Sequence, residues 1–126
     1  MKIVFFSVTG QTRRFINKLD LPYVEITPTN PFFAVNEPYI LVVPTYEKEI
    51  TEFIEDFLNY SVNRQNLLGV AGTGNRNFAE LFIFTAKDIA REYQVPLVYS
   101  FEFSGTPKDI ENFKKVVHEI DIKTAR

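Results

Sequence analysis

The chain has 126 residues, 45% of them apolar, enough for one domain that buries most of the surface its unfolded form exposes. With 14 basic and 16 acidic residues the formal charge is -2, which gives no electrostatic reason to expect nucleic acid as a partner. The absence of cysteine excludes disulfides, thiolate nucleophiles and iron–sulfur ligation, and the single histidine, His118, has no ligand-spaced companions for a metal site, so any redox role falls to a bound cofactor.

The first apolar run, Ile3–Phe6, reads as a strand and is too short for a signal-peptide core. No stretch approaches the roughly 20 apolar residues that span a bilayer, so a cytoplasmic protein without a membrane partner is expected. Ser7-Val8-Thr9-Gly10-Gln11-Thr12 leads into a helix over residues 12–19, and Tyr23–Ile26 forms a second strand. Thr27–Pro38 carries Pro28, Pro31 and Pro38 and reads as a loop wrapping the sheet. After the strand Tyr39–Val43 comes Pro44-Thr45-Tyr46, and then Ile50, Phe53, Ile54, Phe57 and Leu58 keep the spacing of an amphipathic helix. Leu67–Ala71 is a fourth strand, Gly72–Phe78 a loop, 78–93 a helix and Pro96–Tyr99 a fifth strand. In the last helix Thr106 suits the cap, Pro107 the first helical position and Asp109 the first turn, with Ile110, Phe113, Val116, Val117 and Ile120 on the apolar face.

Short, mostly continuous apolar runs alternating with helical periods predict an α/β fold, with residues 1–126 as a single domain. The sheet is expected to be a doubly wound, five-stranded parallel one in the order 2-1-3-4-5, with helices on both faces. Ligands of such sheets bind at the carboxyl ends of the strands, where the winding reverses. Four of the five glycines (Gly10, Gly72, Gly74 and Gly105) are expected just after a strand and so mark that edge. The loop Ser7–Thr12 combines alternate hydroxyls, a glycine and a helix start, a pattern suited to a phosphate; the plainer role for Ser7 and Thr9 is helix capping. It is neither a P-loop nor a dinucleotide fingerprint.

That hexapeptide resembles the FMN phosphate loop of flavodoxins. Together with Asn36–Pro44, Gly72-Thr73-Gly74-Asn75-Arg76-Asn77-Phe78 and Phe101-Glu102-Phe103-Ser104-Gly105-Thr106, it resembles the NrdI family, flavodoxin-like proteins that assist class Ib ribonucleotide reductases, from Lys2 to about Ile120. The resemblance implies FMN as cofactor and, as partners, the dimetal small subunit of the reductase, dioxygen and an upstream electron donor. The reduced flavin would react with dioxygen and supply superoxide or peroxide for assembly of the subunit's metal/radical cofactor. Residues implied to hold the flavin are Ser7, Val8, Thr9, Gly10, Gln11 and Thr12; Pro44, Thr45 and Tyr46; Gly72, Thr73, Gly74, Asn75, Asn77 and Phe78; and Ser104 and Gly105. No residue looks like an acid, base or nucleophile acting on an organic substrate, and a flavin needs none.

Tyr46 would stack on one face of the ring, or be an ordinary loop aromatic. Asn75 and Asn77 suit the pyrimidine end of a flavin; alternatively Asn77 caps the next helix with Phe78 stapled to the core. Arg76 is expected to face a partner or the charge of the reduced ring. Phe82, Ile83 and Phe84 exceed one helix stripe and are expected to be buried, Glu47–Glu49 to form a solvated turn, and His118 to sit favourably near a helix end. Unlike many relatives, the stretch Pro44–Ile50 has no glycine, so a backbone flip beside the flavin would force a side-chain-bearing residue to positive φ, at about 1 kcal/mol or more. Two other functions fit the same residues: a general electron-transfer flavodoxin, and a flavin-free docking module of the same fold.

Overall fold

The computed structural model describes residues 1–124, apart from the side chains at positions 79 and 80. Five parallel strands, β1 (Lys2–Phe5), β2 (Tyr23–Glu25), β3 (Tyr39–Pro44), β4 (Leu67–Gly74) and β5 (Leu97–Glu102), lie in the order β2-β1-β3-β4-β5. The expected doubly wound arrangement is therefore observed. In register, Ile3 pairs with Tyr23 on one side and Ile40 on the other, and Ala71 pairs with Tyr99.

The central strand β3 is buried at all six positions, which is why its sequence is a continuous apolar run. Alternate strand residues feed two cores. On one face Val4, Leu41, Val43 and Val70 meet α3 (Phe53–Leu58) and α5 (Phe84–Tyr93). On the other, Ile3, Phe5, Ile40, Val42, Ala71 and Phe101 meet Phe15 and Ile16 of α1 (Gln11–Asn17) and Phe113 and Val117 of α6 (Pro107–Thr124). Phe15 stacks on Phe101 at 3.9 Å and meets Phe113 edge-on at 5.4 Å, contacts worth about 0.5–1.5 kcal/mol each beyond their burial. The edge strand β2 has only three residues, a length that limits unwanted pairing.

The start of α6 is built as expected. The Asp109 N–H donates to the Thr106 hydroxyl (3.1 Å), and the Asp109 carboxylate accepts the Thr106 N–H (2.9 Å), a reciprocal capping box. The other Asp109 oxygen accepts the Tyr99 hydroxyl at 2.7 Å. Burial alone would raise the Asp109 carboxyl, but the bonds from the Thr106 N–H, the Tyr99 hydroxyl and the Thr106 hydroxyl outweigh it and hold it below the usual range.

Four expectations need correction. First, β4 and β5 run three residues past their apolar runs, because parallel neighbours continue to offer backbone partners (Gly72 to Val43 and Ser100, Thr73 to Pro44 and Phe101). Gly72 and Gly74 thus lie inside β4, and Phe101 and Glu102 inside β5. Second, the helix over 50–58 is divided into α2 (Lys48–Thr51) and α3 at Glu52. Third, the helix expected over 78–93 is two pieces, a 3-10 helix Arg76–Leu81 and then α5. Ile83 separates them at φ 52, a left-handed conformation rare for a β-branched residue. Its side chain is 2% exposed, and burial against β4 compensates the backbone strain. Fourth, the short α4 (Asn63–Asn66) was not legible from periodicity. The fully buried Asn63 amide holds the loop at 27–38: its oxygen accepts the Val35 N–H (2.7 Å), while its nitrogen donates to the Phe33 and Phe57 carbonyls (2.8 Å each).

Candidate functional site

At the carboxyl ends of the strands the loops after β1, β3, β4 and β5 surround a cleft of about 480 Å³, within the roughly 300–1,000 Å³ usual for small-molecule sites. Val8, Thr9, Gln11 and Thr12 line one end, Pro44–Glu47 one side, and Thr73–Asn75, Phe78, Leu81, Phe84 and Phe103 the remainder.

The first loop turns through Gly10, whose φ of 94° belongs to the left-handed region that glycine adopts without strain. Ser7 does not reach the cleft. Its hydroxyl accepts the Gly10 N–H at 3.0 Å and the Arg13 N–H at 3.4 Å, so it closes the loop from inside, as the capping reading has it. Thr9 and Thr12 remain as the hydroxyl residues of this loop that line the cleft. Arg13 is turned away by a two-pronged pair with Glu25, at 2.9 and 2.6 Å, which also raises the guanidinium pKa.

Three threonine hydroxyls stitch the cleft's walls together. The Thr45 hydroxyl donates to the Thr73 carbonyl (2.8 Å) and the Thr73 hydroxyl to the Phe103 carbonyl (2.6 Å). The Thr85 hydroxyl, on α5, accepts the Tyr46 N–H at 3.1 Å and donates to the Tyr46 carbonyl at 3.0 Å. Tyr46 itself is half-buried and lines the cleft.

Beyond β4 the sequence expectations divide. Thr73, Gly74 and Asn75 line the cleft, and a Cβ at Gly74 would stand 3.1 Å from the Thr45 hydroxyl and 3.2 Å from the Ile83 nitrogen. Gly72 does not line it: a Cβ there would meet the Ala86 Cβ at 2.6 Å, so this glycine serves the packing of α5 on β4. Asn77 is exposed and outside the cleft, and the local cap is Asn75, whose side-chain oxygen accepts the Asn77 N–H at 2.9 Å. Phe78 is 63% exposed on the cleft's rim, not stapled to the core. Arg76 is not directed outward alone: it pairs with Glu102 at 2.9 Å and lies 4.8 Å over the Phe82 ring. Hydrogen bonds from the Arg76 side chain and then its backbone N–H hold the Glu102 carboxyl below its ordinary range.

After β5, Ser104 and Gly105 lie outside the cleft lining. Gly105, at φ 74°, packs where a Cβ would approach Phe15 to 2.6 Å. The cleft residue from this segment is Phe103, held at φ 52 by the bond from Thr73 and by its own N–H to the Gly74 carbonyl (3.2 Å). Phe103, Leu81 and Phe84 were not singled out as ligand contacts. Of Phe82, Ile83 and Phe84, the apolar surplus expected to be buried, only Ile83 is; Phe82 and Phe84 are half-buried, and that surplus is the trace the cleft wall leaves in the sequence. Val8, Phe78, Leu81 and Phe103 are between 46% and 63% exposed around one cleft mouth, a concentration uncommon on a protein surface without a binding role.

A family model described as NrdI Flavodoxin like matches residues 3–115. The chain belongs to the NrdI flavodoxin-like family. It is thus a flavodoxin-type flavoprotein, and the family implies a flavin cofactor. Among solved structures, a short-chain flavodoxin associated with a non-canonical PDU bacterial microcompartment is similar, with a TM-score of 0.67 and 20% identity over 99% of this chain and 97% of that one. At that identity the likeness speaks for the fold. The residues present suit a flavin: a cleft walled by aromatic and aliphatic side chains for a flat ring, with the Thr9 and Thr12 hydroxyls at one end, while Gly10 turns the loop from outside the lining. Among the described residues no group of His, Cys, Asp and Glu side chains is arranged to hold a metal, and no helix is long and apolar enough to cross a membrane.

Proposed function

We propose that the cleft binds FMN and that the protein serves the dimetal small subunit of a class Ib ribonucleotide reductase. The observation that carries this reading is the junction of the family match with one cleft at the carboxyl edge, where the Ser7–Thr12 loop meets apolar walls. Loop N–H groups with the Thr9 and Thr12 hydroxyls would hold the phosphate. Pro44, Thr45 and Tyr46 would flank the ring on one side and Gly74, Asn75, Phe78 and Phe103 on the other. The Asn75 side chain would meet the polar edge of the ring with its free amide group. A reduced flavin held by these residues would supply one electron to dioxygen for superoxide, or two for peroxide, for assembly of the partner's cofactor.

The exposed apolar rim of Val8, Phe78, Leu81 and Phe103 favours one docked partner over brief exchange among many. A general electron carrier would call for a strongly acidic rim, which the -2 net charge does not suggest. The first test is the absorption spectrum of the purified protein and a titration of the flavin-free form with FMN; no binding ends the proposal in favour of a docking module. The second is formation of the active cofactor in the small subunit, given reduced flavoprotein and dioxygen. Glu47→Lys is expected to keep FMN and the thermal midpoint yet slow this activation, because Glu47 sits at the cleft's edge. Equal activation by free FMN or an unrelated flavodoxin would replace dedicated docking with the general electron-carrier role.

A further inference from the structure

The loop after β3 forms a wall of the cleft, and loops at binding edges are commonly mobile. Here one buried side chain restrains it from both directions. Thr85, 5% exposed at the second position of α5, uses its single hydroxyl twice on one residue 39 positions earlier: it accepts the Tyr46 N–H at 3.1 Å and donates to the Tyr46 carbonyl at 3.0 Å. A hydroxyl has one proton and two lone pairs, so it can serve both peptide groups at once, and both peptides flanking Tyr46 become fixed relative to the helix. Next to it, the Thr45 hydroxyl ties the same loop to the Thr73 carbonyl at 2.8 Å. α5 is itself firmly seated, with Ala86 against Gly72 and Ile83 buried at the helix start.

We infer that Thr85 is a positioning residue for the ligand site: its hydroxyl clamps the Tyr46 backbone and thereby presets the cleft wall formed by Pro44–Glu47. This inference rests on the proposed FMN site for its ligand-dependent part, but not for the clamp itself. A preset wall removes the cost of ordering a loop when a ligand binds. It also presents the same backbone donors and acceptors to every redox state of a bound flavin. Reduction turns the flavin's central N5 from a hydrogen-bond acceptor into a donor, so a wall that cannot rearrange favours some states over others. The clamp therefore acts on the spacing of the two one-electron potentials as well as on affinity.

The test compares Thr85→Val, nearly isosteric but without the hydroxyl, with Thr85→Ser, which retains it. In flavin-free protein, amide exchange at Tyr46 is expected to accelerate roughly tenfold or more in Thr85→Val, while amides of β1 and β3 exchange as in the wild type. FMN is expected to bind Thr85→Val roughly tenfold more weakly, and the separation of the two one-electron potentials to change. Thr85→Ser is expected to restore all three. Exchange at Tyr46 and FMN affinity both within twofold of wild type in Thr85→Val would overturn the inference. Faster exchange with wild-type affinity and potentials would overturn the link to the site. If the wild type fails to bind FMN, the proposed cofactor is wrong, whereas the exchange experiment still reports on the clamp. Should Thr85→Val fold poorly, the exchange, affinity and potentials of Thr85→Cys, which replaces the hydroxyl by a weak donor of similar shape, decide between the same outcomes.

Discussion

Gly72 offers a direct way to ask whether the packing beneath the cleft governs the cleft. Replacing it with alanine would place a methyl group 2.6 Å from the Ala86 Cβ and 3.2 Å from the Ile83 Cβ. Unbonded carbons settle at about 3.5–4.0 Å, so α5 must retreat from β4 by roughly 1 Å. Overpacking of this kind costs about 1–3 kcal/mol. For a chain of this size that lowers the thermal midpoint by roughly 3–12 °C. The same retreat carries Thr85, adjacent to Ala86, away from Tyr46. Bonds that now measure 3.0 and 3.1 Å would lengthen to about 4 Å, beyond hydrogen-bonding range. Phe84, which lines the cleft from the same helix, moves with it. The expected result is a lowered midpoint by circular dichroism together with FMN affinity reduced roughly tenfold, followed by fluorescence titration. A lowered midpoint with wild-type affinity would refute the coupling of α5 to the cleft. An unchanged midpoint would refute the packing constraint itself.

Gly10→Ala and Thr12→Val are expected to lose most FMN while staying folded. A Cβ at Gly10 meets only Arg13 at 3.8 Å, so the cost is backbone strain of about 1–2 kcal/mol, and full FMN occupancy in both variants would move the phosphate elsewhere. Asp109, whose folded pKa is lowered, contributes stability that is complete above the ordinary aspartate range, near 4, and is lost as pH falls through its lower folded value. Urea midpoints should therefore decline from roughly pH 5 downward in the wild type and more weakly in Asp109→Asn; parallel profiles would contradict this. Anaerobic reduction of the flavin-bound protein is expected to show little long-wavelength absorbance, since the Tyr46 backbone is tied on both sides and the loop has no glycine. A large, stable blue species would show that this loop does rearrange.

Features that depend on neighbours along the chain were legible in the sequence. The buried run Tyr39–Val43, which the structure extends by Pro44, the Thr106–Asp109 cap and the alternation of strands with helices follow from side-chain period and local hydrogen bonding, and the alternation restricted the sheet to very few topologies. The loop after β1 was legible for a similar reason, since a glycine turn between a strand and a helix is a local event. The tertiary structure alone decided which glycine serves what. Gly72 faces Ala86 and Gly105 faces Phe15, and neither contact leaves a trace in the local pattern. It also decided that Arg76 is engaged by Glu102, 26 positions later, that Phe103 lines the cleft while Ser104 does not, and that Thr85 reaches back 39 positions to Tyr46. These contacts depend on the register between strands and on how far a helix sits above them. Both are set by close packing over the whole sheet, at a resolution finer than any hydrophobic pattern carries.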